Sequence, residues 1–98
     1  MIDARYLEEV RRIVLAGLRD RPASVYLFGS HARGDARPGS DIDVAILPAA
    51  PLPAPVLARI RDALEESRIP YRVDLVDLAG AEEDFVNSAL RDAILWTA

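Results

Sequence analysis

The segment LFGSHARGDARPGSDIDVAIL, residues 27–47, carries most of the structural information in this chain of 98 residues. It joins two apolar runs of strand length, one over about 24–28 and one from Asp41 to Leu47. The residues between them, 29–40, are rich in glycine, arginine and proline. They predict a loop, with room for one helical turn after Ser30.

Amphipathic patterns on both sides of this segment predict helices that cover a sheet. We expect Asp3 to cap a helix over about 4–19, a second helix over about 55–67 after a proline-rich connector, a third strand over 71–78, and a last helix from about Ala81. The predicted inward positions of these helices are Leu7, Val10, Ile13, Val14 and Leu18, then Val56, Leu57, Ile60 and Leu64, then Phe85, Val86, Ala89, Leu90, Ala93 and Ile94. The order helix, strand, strand, helix, strand, helix predicts an α/β (α+β) fold with one small sheet packed by helices.

Composition excludes several classes of function. The chain has no cysteine, so it has no disulfide or thiolate metal site, and it has no lysine, which a P-loop requires. Its net charge of −4 disfavours direct nucleic-acid binding. No apolar run is long enough to cross a membrane, and the charged N-terminal residues are unlike a secretory signal. We therefore expect a single cytoplasmic domain over residues 1–98.

Two features of the 27–47 segment suggest phosphate and metal chemistry. Gly29 and Ser30 end a strand and turn toward a helical start, a geometry that offers free backbone N–H groups to an anion, although glycine after a strand also occurs in ordinary turns. Asp41 and Asp43 are two residues apart on a strand and so share one face. Their carboxylates could converge on metal ions or could simply line a solvated face.

A third carboxylate is expected from the last predicted strand. Asp74 and Asp77 point to opposite faces, so at most one of them can join Asp41 and Asp43. Asp74 has apolar neighbours on both sides, whereas Asp77 is near the strand end, where water reaches it more easily. We choose Asp74.

Together these features resemble the nucleotidyltransferase superfamily shared with DNA polymerase beta, and the segment 27–47 resembles the signature of its minimal nucleotidyltransferase (MNT) family. The resemblance covers nearly the whole chain and implies a polymerase beta-like fold. It implies that Gly29 and Ser30 contact phosphate. It also implies that Asp41, Asp43 and Asp74 are catalytic and bind two Mg²⁺ ions.

The resemblance extends to the rest of the loop. Arg33 falls in the family's Ala-Arg-Gly stretch, where the arginine faces the active site, and Ser40 completes the candidate phosphate-binding set. His31 departs from the family pattern, which often has arginine there. We interpret it as a solvated loop residue.

The resemblance also implies a biological role. Members of this family are often antitoxins that transfer AMP from ATP to a tyrosine of a HEPN-domain ribonuclease toxin. The alternatives are a small-molecule nucleotidyltransferase of the aminoglycoside-modifying type and a non-catalytic antitoxin that masks its partner by contact. We also expect association with a partner or a second copy through the last helix and Trp96, the competing possibility being that Trp96 is buried within its own chain.

Overall fold

The computed structural model describes residues 4–19 and 21–97. Its elements are α1 (Ala4–Gly17), β1 (Ala23–Phe28), α2 (Ser30–Arg33), β2 (Ile42–Pro48), α3 (Ala54–Glu66), β3 (Val73–Asp77), α4 (Glu83–Ala89) and β4 (Ile94–Leu95). The strands form one sheet in the order β3-β2-β1-β4. Strand β2 is parallel to β3, and β1 is antiparallel to both β2 and β4. The predicted α/β (α+β) fold with one small sheet packed by helices is confirmed, whereas the expected cap Asp3 lies outside the described residues.

The core lies between one face of the sheet and the helix pair α1 and α3. The buried residues of this core are Val10, Val14 and Leu18, then Val25 and Leu27, then Ile42, Val44 and Ile46, then Val56, Ile60 and Leu64, and finally Leu75. The two helices approach closely at Gly17, where a methyl group would collide with the side chain of Ile60. Since side chains alternate along a strand, the residues between these core positions face away from the helices.

The last helix is shorter than the sequence predicts. It ends at Ala89, and the chain turns through hydrogen bonds that include Ala93 N–H to the Leu90 carbonyl, 3.1 Å. Ile94 and Leu95 then pair with β1 as the edge strand β4. The prediction that Ala93 and Ile94 continue the helix was wrong, because the free edge of β1 offers these residues backbone partners that a local pattern does not reveal.

The same region buries less than predicted. Phe85, expected to point inward, is 56% exposed, and Ile94 is 46% exposed. No residue of α4 is fully buried. In the loop after β1, the helical turn allowed by the sequence is present as α2. None of the helices in residues 4–19 and 21–97 has the length and apolar character that crossing a bilayer requires.

Candidate active site

Asp43 and Asp74 lie side by side on the sheet face opposite the helices. They are direct partners in the parallel pairing of β2 with β3. Partners in adjacent strands point to the same face, with their backbones about 4.8 Å apart. Asp43 is half-buried on the inner strand β2, and Asp74 is exposed on the edge strand β3. The pairing therefore places two carboxylates next to each other on an accessible surface.

Asp41 immediately precedes β2. The next residue, Ile42, donates its backbone N–H to the Arg72 carbonyl at 2.9 Å, which extends the contact between the two chain segments. Asp41 is exposed, and two residues of extended chain separate its Cα atom from that of Asp43 by about 6.6 Å. Asp43 is thus flanked by one carboxylate along its own strand and by another across the sheet.

The pKa of the Asp43 carboxyl group is raised in this environment. Burial raises it most, and the negative charges of Asp74 and then Asp41 raise it further. His31 and Arg33 act in the opposite direction and lower it. Both therefore lie near enough to Asp43 to influence its charge. A cation placed among the carboxylates would relieve their repulsion.

Gly29 allows the loop to pass directly over Asp43. Its φ of +74° is in the region that favours glycine, and a methyl group on its Cα would collide with Oδ2 of Asp43. Its carbonyl accepts hydrogen bonds from the N–H groups of Ala32 and Arg33, which start α2. The Gly29-Ser30 turn is thereby brought against the Asp43 carboxylate.

The other two predicted phosphate-binding residues are Arg33, which ends α2, and Ser40, which lies in the loop between α2 and β2. Arg33 is exposed and forms an ion pair with Asp35, with Nε 3.3 Å from Oδ2. The Ser40 hydroxyl accepts a hydrogen bond from the Arg37 N–H at 2.9 Å. Ser40 therefore stabilises a turn that leads into Asp41.

His31 is better anchored than the sequence suggests. Its Nε2 lies 3.2 Å from the Ser40 carbonyl oxygen, and its ring makes an edge contact with Tyr71. The interpretation of His31 as a solvated loop residue was therefore wrong. A single histidine in a polar loop gives no local signal of such contacts, because the partners are 9 and 40 residues away in the chain.

Asp77 has a different environment from Asp74. It is paired with Ile46, which belongs to the helix-covered face, and its Oδ1 accepts a hydrogen bond from the Ala79 N–H at 2.9 Å. That bond stabilises the turn after β3. Of the two aspartates considered from the sequence, the register brings Asp74 and not Asp77 next to Asp43.

The carboxylates have the donor chemistry that Mg²⁺ prefers, namely hard oxygen atoms on neighbouring strands. Across residues 4–19 and 21–97, however, no three His, Cys, Asp or Glu side chains are arranged to hold one ion. Asp41 and Asp74 are exposed, so their side chains can change rotamer without disturbing the core. The residue types and their placement fit a cation, and the side chains must still turn toward it.

Residues 14–97 match the family profile described as polymerase beta, nucleotidyltransferase. The chain belongs to the polymerase beta nucleotidyltransferase family. The matched range contains Gly29, Ser30 and the three aspartates discussed above. The fold and the segment that the sequence singled out are therefore those of a nucleotidyltransferase domain.

Comparisons with individual proteins show which members of this nucleotidyltransferase family the chain resembles. The chain is 44% identical over 62 residues to the Haemophilus influenzae protein named "Probable protein adenylyltransferase MntA", covering 63% of this chain and 54% of that relative. It therefore spans about half the length of that curated protein. A solved structure described as a minimal nucleotidyltransferase has 34% identity and a TM-score of 0.72, with 95% of each chain covered.

A third similarity is to a chain in a solved complex of a tri-AMPylated Shewanella oneidensis HEPN toxin with an MNT antitoxin. The identity is 26% and the TM-score is 0.63, over 93% of this chain and 71% of that one. The nucleotidyltransferase domain described here thus shares its fold with proteins of toxin–antitoxin pairs.

Proposed function

We propose that this chain is a metal-dependent nucleotidyltransferase that moves AMP from ATP to a tyrosine hydroxyl of a HEPN-domain toxin and thereby acts as its antitoxin. The observation that carries the proposal is the pairing of Asp43 with Asp74 beneath the Gly29 turn. The similarity to MntA and to the AMPylated toxin complex supports the choice of AMP and of a protein acceptor. Because ATP is abundant inside cells, we place the reaction in the cytoplasm.

The reaction is an in-line displacement at phosphorus. The acceptor oxygen attacks the α-phosphorus of ATP, the bond from that phosphorus to the bridging oxygen breaks, and pyrophosphate leaves. The hydroxyl proton passes to a carboxylate oxygen of Asp74. Two Mg²⁺ ions held by Asp41, Asp43 and Asp74 would neutralise charge on the triphosphate and lower the pKa of the acceptor hydroxyl.

The residues of the loop bind and orient the triphosphate. The backbone N–H groups and the hydroxyl at the Gly29-Ser30 turn donate to phosphate oxygens, and Arg33 adds a positive charge from the end of α2. Ser40 supports this arrangement by holding the turn before Asp41 in place. Catalysis of this kind depends chiefly on positioning and charge, which a small domain can supply.

The exposed position of the carboxylates favours a macromolecular acceptor. Asp41 and Asp74 are exposed, so both carboxylates lie on an open surface. A small-molecule acceptor is normally held in a concave pocket that buries most of its surface. A protein tyrosine can instead be presented to an open site by the partner's own fold.

The test is transfer of label from ATP carrying a radioactive α-phosphate to the product of the neighbouring gene, which we expect to be a HEPN-domain toxin. We expect labelled toxin, released pyrophosphate and loss of the toxin's ribonuclease activity, all dependent on Mg²⁺. Asp43→Asn should abolish labelling of the toxin. The matched control Asp62→Asn changes an exposed residue of α3 and should leave the labelling unchanged.

Other outcomes would replace the proposal. Silencing of the toxin without pyrophosphate release, and equally by the Asp43→Asn protein, would identify an antitoxin that acts by contact alone. Pyrophosphate release that needs an added aminoglycoside and leaves the toxin unlabelled would identify a small-molecule enzyme. Mass spectrometry of the labelled toxin should place the AMP group on a tyrosine.

A further inference from the structure

His31 forms a hydrogen bond across the loop that precedes Asp41. Its Nε2 is 3.2 Å from the carbonyl oxygen of Ser40, and both residues are half-buried. A carbonyl oxygen can only accept, so Nε2 must carry the proton. The bond therefore joins α2 to the last residue of the loop.

The Ser40 carbonyl belongs to the peptide unit that leads into Asp41. Because a peptide unit is planar, holding its oxygen also orients the N–H of Asp41. On the other side of Asp41, the N–H of Ile42 is bonded to the Arg72 carbonyl at 2.9 Å. Asp41 lies outside β2 and is exposed, so these two flanking bonds determine the direction of its backbone.

The His31 ring is itself held by aromatic contacts. Its centroid is 6.2 Å from that of Tyr71 with the ring planes at 82°, and Tyr71 makes a similar edge contact with Tyr6 of α1 at 5.9 Å. Tyr71 also packs against the hydrophobic core. The core therefore holds the imidazole in place through Tyr71, and the imidazole in turn holds the Ser40 carbonyl.

Among the described residues, the second half of the loop has few other hydrogen bonds, whereas its start is bonded to the Ser30 carbonyl through the N–H groups of Gly34 and Asp35. Gly34 and Gly39 both have positive φ, and a side chain at either position would meet nothing within 4 Å. The Ser40 hydroxyl and N–H are bonded to Arg37, which is itself part of the loop. The hydrogen bond from His31 therefore joins Ser40, at the end of the loop, to a residue whose ring is held against the core.

We propose that His31 is a positioning residue, which orients Asp41 for binding of the metal–nucleotide complex through its hydrogen bond to the Ser40 carbonyl. The proposal rests on the proposed function, since it takes Asp41 as a metal ligand. It assigns no proton transfer to His31. It predicts that a side chain with a ring but no N–H donor does not position Asp41, and that a side chain with a donor but no ring positions it in part.

Two substitutions separate the ring from the donor. His31→Phe keeps the edge contact with Tyr71 and removes the donor, whereas His31→Gln keeps a donor and removes the ring. The measurement is the dissociation constant of Mn²⁺ in the presence of a non-hydrolysable ATP analogue, followed by electron paramagnetic resonance. We expect His31→Phe to weaken Mn²⁺ binding about tenfold while melting near the wild-type temperature in metal-free buffer, and His31→Gln to recover part of the loss.

The control is Ser67→Ala, which removes a side-chain hydrogen bond to the Leu64 carbonyl at the end of α3. It should leave Mn²⁺ binding unchanged. Nitrogen NMR of the metal-free protein gives a second readout, and it should find the proton of a neutral His31 on Nε2. Wild-type Mn²⁺ binding by His31→Phe, equal losses in both variants, or a proton on Nδ1 would overturn the proposal.

The two proposals fail in different ways. If the wild-type chain binds Mn²⁺ and the His31 variants behave as expected, but no AMP reaches any acceptor, the proposed function fails and the positioning role stands. If AMP is transferred and His31→Phe keeps both its Mn²⁺ affinity and its kcat, the positioning role fails alone. If the wild-type chain binds no Mn²⁺, both fail.

Discussion

Asp43 has a perturbed pKa, and it is also a metal ligand in the proposed function. It carries a raised pKa because it is partly buried and lies near Asp74 and Asp41. A carboxyl group whose pKa is higher in the folded than in the unfolded state takes up protons on folding. Its ionisation therefore lowers the free energy of unfolding as pH rises from the ordinary aspartate range, about pH 4, through the raised value.

Asp43→Asn should remove this pH dependence. In metal-free buffer, wild type should lose stability as Asp43 ionises. The variant's free energy of unfolding should therefore rise relative to that of wild type as pH increases above about 4, and the difference should then level off, because the neutral amide is not repelled by the neighbouring carboxylates. Urea denaturation at several pH values measures the difference, with Asp62→Asn as the control. A variant less stable than wild type at neutral pH would contradict the crowding of the three carboxylates.

Gly29 should be the least replaceable glycine of the loop. Gly34→Ala has only the cost of a positive φ, about 1 kcal/mol, because its methyl group meets nothing within 4 Å. Gly29→Ala adds a collision with the Asp43 carboxylate, so we expect a larger loss of stability and no AMP transfer. Urea denaturation of both variants tests this expectation. Combined with Asp43→Ala, Gly29→Ala should cost less than it does alone, while the strain of its backbone conformation (φ 74°, ψ −156°) remains. An unchanged cost would show that the collision is not its cause.

At the scale of elements, the end of the chain depends on α1. The Trp96 carbonyl accepts two hydrogen bonds from Arg11, from Nε at 3.2 Å and Nη2 at 3.0 Å. The Trp96 N–H donates to the Val25 carbonyl at 2.8 Å, and the Thr97 hydroxyl accepts from the Val25 N–H at 3.3 Å. One helix and one strand thus hold the segment after α4.

Arg11→Met should therefore destabilise the domain more than the same change one residue later. Methionine keeps much of the apolar stem but leaves the Trp96 carbonyl without these donors, a loss of about 1–3 kcal/mol. Arg12 pairs with Glu9 on the surface of α1, where water screens the pair, so Arg12→Met should cost clearly less than Arg11→Met. Urea denaturation of the two variants makes the comparison. Equal losses would mean that the bond to Trp96 contributes little.

At the scale of the whole molecule, the question is which apolar groups are left for a partner. Trp96 packs against the core of its own chain, which favours burial within the monomer over the interface expected from the sequence. Phe85 and Leu95 remain 56% and 53% exposed. The expectation that the end of the chain takes part in association now depends on residues of this kind and stays a prediction.

Trp96→Ser should lower stability without changing the mass of the particle. Removing a large ring that is partly buried against the core should cost about 2–4 kcal/mol, less than for a fully buried tryptophan. Light scattering and thermal unfolding of wild type and variant test the two parts separately. A fall in mass with unchanged stability would restore the interface interpretation of Trp96.

Features that depend on local geometry follow from the order of residues alone. The alternation of β2 follows from the two-residue period of a strand, so Ile42 and Val44 had to face the core if Asp43 faced away. The same period allows only one of Asp74 and Asp77 to share a face with Asp43, whatever the rest of the fold. The helical spacing of α1 and α3 likewise identified their buried positions.

Features that depend on contacts between distant segments follow only from the folded arrangement of the chain. Nothing local to Asp74 specifies that it pairs with Asp43, because that register is set by hydrogen bonds between strands that α3 separates. His31 meets Ser40 and Tyr71 only after the loop has closed and β3 has joined the sheet. In the same way, the helical pattern after Ala89 did not decide the structure there. The open edge of β1 provides hydrogen-bond partners for the backbone of Ile94 and Leu95, which therefore form a strand.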